Sequence, residues 1–445
     1  MQTFFESTTG FRFSLLRDLV LTILIFVLPN AHQSLLGQSD HSQAPILYSS
    51  SDFNDRVARL IQKLKVNEET IQWDAEHGWL PDLLMKLEIP TSSQTLVFSK
   101  TSQQHRKINP ANPRAIYFND DVYLGYVPNG DFLEIASVDP VQGAAFYTLD
   151  QRKSDRAIIK EASANCLSCH ETYKTQRVPG FLIRSVYPKT SGHPEFRFGT
   201  TTTDHRTPFT DRFGGWYVTG HHGQIRHRGN AMVIPKSKQE SNALDRESHS
   251  NLDDLPTRVS LKKYLGKKSD IVALMVMEHQ TQFHNFVTRA SYETRIALHQ
   301  QQEMNRILER PADFRIESTN RRIKSVATKL VEYLFFKDEF PLASPIQGDE
   351  RFLVDFQTTA IRDPKGRSLR ELDLQTRLLK YRCSYLIYSP SFCSLPKPAL
   401  TVVSDEINDI LAGNRPGAYP QLDEGTRDSI REILTATHPL FRKSK

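Results

Sequence analysis

The segment Cys166-Leu167-Ser168-Cys169-His170 constrains this chain more than any other feature. Two thiols three positions apart share one side of a single helical turn, and a histidine follows at once. This spacing is the attachment signature of c-type haem. The thiols add to the two vinyl groups of the porphyrin, and the imidazole lies under the ring and gives a nitrogen to iron. Cys166 and Cys169 are therefore the expected covalent anchors, and His170 is the expected proximal ligand. The chain holds one such segment, so one haem c is expected and a multihaem wire is excluded.

Two other chemistries use CxxC pairs. A thioredoxin-type pair follows a buried strand, and Ala162-Ser163-Ala164-Asn165 supplies none. A zinc site wants a second Cys/His pair at ligand spacing. The other two cysteines, Cys383 and Cys393, lie far downstream. Those two are close enough in sequence to form a disulfide in an oxidising compartment; otherwise Cys383 reads as a small buried hydrophobe.

The compartment is read from the N-terminus. Arg12 and Arg17 precede an apolar stretch at residues 19–28. Ten residues rise about 15 Å as a helix, against a ~30 Å hydrocarbon core. Residues 1–37 thus read as a signal peptide, with an uncleaved N-terminal anchor as the alternative and the only membrane attachment expected. Either reading places the body in the periplasm or otherwise outside the cytoplasm, where c-type haem is attached. The mean hydropathy of −0.47 excludes a polytopic membrane protein. The net charge of +6 comes from 57 basic and 51 acidic residues spread along the chain. No basic run of nucleic-acid type occurs, so no nucleic-acid partner is expected, whereas a docking face for a redox partner protein is compatible with this balance.

Periodicity divides the remainder into residues 38–150, 151–310 and 311–445, and the fold class is α+β. The first region is mixed. It is helix-leaning to residue 110, with a periodic stretch through Leu60, Ile61 and Leu64, and then strand-rich over 115–149. Asn119-Asp120-Asp121 and Pro128-Asn129-Gly130 punctuate the strands as turns. The second is a cytochrome c-like haem region carrying a long Gly/Thr/His-rich loop insertion, residues 190–230. From Ser269 the period becomes helical, with Val272, Val276, His279, Phe283 and Phe286 on one face, and runs to about Arg306. The last region is mainly helical.

The sixth position of the iron separates electron carriers from ligand-binding haem proteins. His279 is the first-ranked distal candidate among the histidines, because its helix is the best apolar wall after the motif. Met275 lies near its face and Met277 does not. Met232, beyond the Gly/His-rich loop, is the competing thioether donor. Ordinary core packing is the alternative for both His279 and Met232. Trp216 and Tyr217 are expected at the porphyrin edge or in the core. Arg184, Arg206, Arg212, Arg226 and Arg228 are candidates for pairing with haem propionates.

Several stretches resemble a group of exported bacterial cytochrome c domain-containing proteins with a single c-type haem. They are Tyr117-Phe118-Asn119-Asp120-Asp121-Val122-Tyr123, the Cys166 to His170 motif, Thr203-Asp204-His205-Arg206, Gly214-Gly215-Trp216-Tyr217-Val218-Thr219-Gly220, Glu278-His279-Gln280 and Cys383-Ser384-Tyr385-Leu386-Ile387-Tyr388. The resemblance implies haem binding and electron transfer, and names no substrate. Unlike small cytochromes c, this chain has a long stretch where their distal methionine loop would lie.

The expectation is a periplasmic c-type cytochrome transferring electrons. The alternatives are a haem oxidoreductase of peroxidase type with an open distal site, where His205-Arg206 or His227-Arg228 would supply the polar pair, and a haem-based sensor.

Overall fold

The computed structural model describes residues 41–234, 243–244 and 251–442. The expected signal segment, residues 1–37, lies outside the described residues.

Two helices open the described chain. α1 (Arg56–Lys65) is capped by Asp55, whose carboxylate accepts from the N–H groups of Val57 and Ala58. α2 (Leu80–Lys86) follows. Six antiparallel strands then form a sheet in sequence order: β1 (Thr95–Val97), β2 (Arg114–Phe118), β3 (Val122–Tyr126), β4 (Phe132–Asp139), β5 (Gly143–Asp150) and β6 (Ile159–Glu161). The turns are those the sequence marks. Asn119 Oδ1 accepts from the N–H groups of Asp121 and Val122 between β2 and β3. Asn129 takes a left-handed conformation between β3 and β4. Strand β1 falls within the stretch read as helix-leaning; three residues are too few to show a period of two.

Alternation along the strands buries both faces of the sheet. Ala115, Tyr117, Leu124, Ile135 and Tyr147 pack with Val57, Leu60, Leu80 and Leu84 of α1 and α2. Ile116, Phe118, Tyr123 and Phe146 face the other way, into the larger core. The central helix of that core is α4 (Ile271–Ile307), capped by Asp270. Between β6 and α4 come the short helix α3 (Ser163–His170), which carries the motif, and the strand pairs β7 (Arg184–Val186) with β8 (Thr200–Thr202) and β9 (Val233–Ile234) with β10 (Ala243–Leu244). Helices α5 (Glu317–Leu334), α6 (Glu350–Thr358), α7 (Pro390–Cys393), α8 (Lys397–Leu411) and α9 (Glu424–Thr437) complete an α+β fold.

α4 differs from the one-faced helix that its apolar spacing suggests. Every residue from Ile271 through Thr288 is buried. Several of its buried polar side chains form hydrogen bonds. Gln280 donates to the Asn119 carbonyl at 3.0 Å, and His284 bonds the Asp120 carbonyl at 2.8 Å. Among the described residues no helix is long and apolar enough to cross a membrane.

Candidate functional site

Helix α3 is pinned to the sheet at its start. The Ala162 N–H donates to the Phe146 carbonyl at 2.8 Å, and the Ser163 hydroxyl accepts from the Phe146 N–H at 3.4 Å. This attachment sets Cys166, Cys169 and His170 against a cavity of about 470 Å³, within the roughly 300–1,000 Å³ usual for cofactor sites. The floor is the sheet face bearing Ile116, Tyr123, Gly125, Glu134, Ala136 and Phe146. The far wall is made by Trp216 and by Met277 and Thr281 of α4. Residues assigned from sequence to two regions, with a boundary at 150, thus build one cavity, because sheet and α4 share a core.

His170 is oriented by its neighbours. Its Nδ1 lies 2.9 Å from the Gly180 carbonyl, which as an acceptor fixes the proton on Nδ1 and leaves Nε2 free to ligate. The ring packs 4.9 Å from Phe146, centroid to centroid. Burial holds the imidazole below its usual pKa, with the Gly180 bond opposing, so the neutral form is favoured. The Gly180 loop is in turn clamped by α4. Asn285 Oδ1 accepts from the Phe181 N–H at 2.8 Å, and Asn285 Nδ2 donates to the Phe181 carbonyl at 2.9 Å. A Cβ at Gly180 would meet Asn285 Oδ1 at 2.2 Å, so the clamp requires glycine there.

The two thiols are separate and unoxidised, Cys169 exposed and Cys166 half-buried. Burial pushes the Cys166 thiol up to about 11, with the Glu134 carboxylate and Cys169 adding to it. A thiol–disulfide catalyst needs the opposite shift. Among the described residues no group of three or more His, Cys, Asp and Glu side chains converges as a metal site requires. The raised Cys166 thiol therefore does not favour the thiol-redox reading of the motif.

The polar groups of the cavity fit a flat cofactor with acidic substituents. The Tyr123 hydroxyl and the Nε atoms of Arg114 and Arg184 are buried without a hydrogen-bond partner. Such groups await an acceptor, which a propionate would provide. Arg114 also pairs with Glu134 at 2.6 Å and lies over Gly125, where a Cβ would come within 2.5 Å of its guanidinium.

The distal candidates read from sequence lie elsewhere. His279 is wholly buried behind the cavity wall, with Nδ1 2.8 Å from His205 Nδ1 and Nε2 2.8 Å from Ser384 Oγ. Its ring is stacked on Phe336 and Tyr333. Met232 belongs to the core on the other face of the sheet, its sulfur 3.9 Å from Arg258 Nη1. Neither lines the cavity. Of the arginines considered, Arg184 lines it; Arg206 pairs with Asp204, Arg212 with Glu278 and Arg228 with Asp211. Trp216 lines the cavity and donates to the Arg184 carbonyl at 2.9 Å, whereas Tyr217 faces the opposite core. The pairs His205-Arg206 and His227-Arg228 do not line it. Sequence reasoning missed Arg114, Tyr123 and Met277. Strand alternation could have placed Arg114 with Ile116 and Tyr123 with Gly125 on shared faces, but nothing local said which face meets the motif.

Comparison with protein-family models, curated proteins and solved structures finds no match.

Proposed function

We propose that this protein is an exported c-type cytochrome that holds one covalent haem and passes electrons to and from a protein partner. The observation that carries the reading is the CxxCH helix seated on the cavity wall, with His170 fixed through Nδ1 by the Gly180 carbonyl. Cys166 and Cys169 would hold the porphyrin, and His170 would ligate its iron. A haem so held supplies one-electron chemistry at iron. The chain's own residues do the rest. Asn285 and Gly180 hold the imidazole in register. Tyr123, Arg114 and Arg184 present donors to acidic substituents. Trp216, Ile116 and Phe146 keep water from the ring.

The test is maturation in a host competent to attach c-type haem, followed by a haem stain of the denatured polypeptide. The expected result is haem that stays with the chain and is lost in the Cys166→Ala/Cys169→Ala variant. Absence of covalent haem from the wild-type chain in that host overturns the proposal.

A further inference from the structure

We propose that the projecting end of α4, with the loop that follows it, docks on the surface of a lipid bilayer. This holds independently of the haem reading. Every residue from Arg306 to Ser318 is exposed, so the stretch stands clear of the core. Met304, Ile307 and Leu308 share one face of the helix at i, i+3 and i+4. Ile307 is 65 % exposed and Leu308 47 %, and Phe314 and Ile316 of the loop are exposed as well. Large apolar side chains gathered on a projection mark an interaction surface.

The tip is polar inside and apolar outside, the reverse of ordinary packing. Gln301 and Asn305 are buried beneath it. Asn305 Nδ2 donates to the Phe314 carbonyl at 2.8 Å and to the Pro311 carbonyl at 3.1 Å. Gln301 Nε2 donates to Asn305 Oδ1 at 2.7 Å, and Gln301 Oε1 accepts from the Ile316 N–H at 3.2 Å and the Thr319 hydroxyl at 2.9 Å. These two amides hold the loop, so its apolar side chains are displayed in advance and docking costs little ordering.

Two observations select a bilayer as the occupant. The apolar run at residues 19–28 is the segment that meets a membrane, as signal or as anchor. The described chain starts against α4, where the His41 ring lies 4.8 Å from Tyr292 and Arg295 Nη2 donates to the Pro45 carbonyl at 3.0 Å. Only residues 29–40 join the apolar run to His41, and twelve residues span at most about 43 Å. Met304 lies twelve positions beyond Tyr292, about 18 Å along the helix. The tip is therefore within reach of a membrane that holds the N-terminal run. The second observation is charge. From Arg306 to Ser318, Arg306, Arg310 and Arg315 balance Glu309, Asp313 and Glu317. A charged protein partner finds no complementary field here, whereas apolar insertion to interfacial depth needs none. Arg310 lies over the Phe314 ring, 5.1 Å from its centroid, so its stem covers apolar surface while its head meets the headgroups.

The experiment mixes the full exported chain with vesicles of equal parts phosphatidylethanolamine and phosphatidylglycerol, their acyl chains brominated to quench tryptophan on contact. Ile307→Trp adds a reporter at the tip. Val354→Trp adds one at an exposed position of α6. The α6 cap, Asp349, donates its N–H to Asp270 at the other end of α4, a helix of 37 residues and hence about 55 Å long. The wild type supplies the background from Trp73, Trp79 and Trp216. The added emission of Ile307→Trp should be largely lost, at low and at high salt, and that of Val354→Trp retained. This contrast reads contact at the tip whether or not the N-terminal segment also holds the chain to the vesicle. Met304→Trp takes the place of Ile307→Trp if that variant does not fold. Equal quenching at tip and control, or none at the tip, overturns the proposal, as does quenching that high salt abolishes. Self-association in sedimentation that Ile307→Ser removes assigns the tip to a second copy of the chain and overturns it too.

Discussion

The carbonyl oxygen of Gly180 lies 2.9 Å from His170 Nδ1, and the Gly180 N–H returns a 2.8 Å bond to the His170 carbonyl. The end of the motif helix and the loop after it are therefore one hydrogen-bonded unit. Asn285 ties that unit to the central helix through both the N–H and the carbonyl of Phe181. The same helix places Thr281 one turn before Asn285, and Met277 one turn before that, in the cavity wall. A single stripe at i, i+4 spacing thus serves the wall and the loop after the motif together.

Asn285→Ala should leave both Phe181 backbone groups buried without partners. Each such loss costs about 1–3 kcal/mol, so stability should fall by about 3 kcal/mol in denaturant unfolding. The His170 loop should loosen as well, and the haem attached per chain should drop. Unchanged stability and loading would show that the clamp does not hold the loop.

His279→Gln tests the distal ligand expected from the sequence. The variant loses a stacked ring and a buried hydrogen-bond relay with His205 and Ser384. A loss of about 2 kcal/mol is expected, with the haem spectrum unchanged. A shift to high spin in this variant would return His279 to the iron.

Stability should depend on pH through His284. Burial pushes this imidazole down to about 4, against an unfolded value of about 6.5. Between these values the unfolded chain binds more protons than the folded one, so stability falls as the pH falls through this window. The group's share is about 3 kcal/mol, fully present above pH 6.5 and gone below pH 4. His284→Gln keeps an N–H for the Asp120 carbonyl and cannot titrate. Its unfolding free energy should therefore decline less than that of the wild type from pH 7 to pH 4. Parallel curves would contradict the assignment.

The disulfide considered between Cys383 and Cys393 is not formed. Both are free thiols, Cys383 buried and Cys393 exposed. Alkylation of the native protein should label Cys393 and spare Cys383 until unfolding, and reducing agent should leave the melting temperature unchanged. A peptide joining the two cysteines by mass spectrometry would refute this.

Much of the architecture was legible because it is local. The Asx and Pro-Asn-Gly turns mark the hairpins, and alternation marks β2 to β5. The helical period beginning at Ser269 marks α4, whose observed start is Ile271. The chemistry expected of Cys166, Cys169 and His170 is local too, since covalent spacing within one helical turn is all that expectation requires.

What lies opposite the motif was not legible. Met277 and His279 differ by two positions, about 200° around a helix. The apolar stripe through His279 packs on Tyr333 and Phe336 of the helical region, and this turns Met277 to the cavity. Sequence by itself determined the α+β class, the motif and its helix, because neighbours along the chain suffice for them. Only the tertiary structure decided the cavity floor, the Asn285 clamp and the presence of Met277, rather than His279 or Met232, in the cavity lining. Those depend on strand register and helix phase, which are set by burying two sheet faces and one central helix at once, and no local stretch encodes that packing.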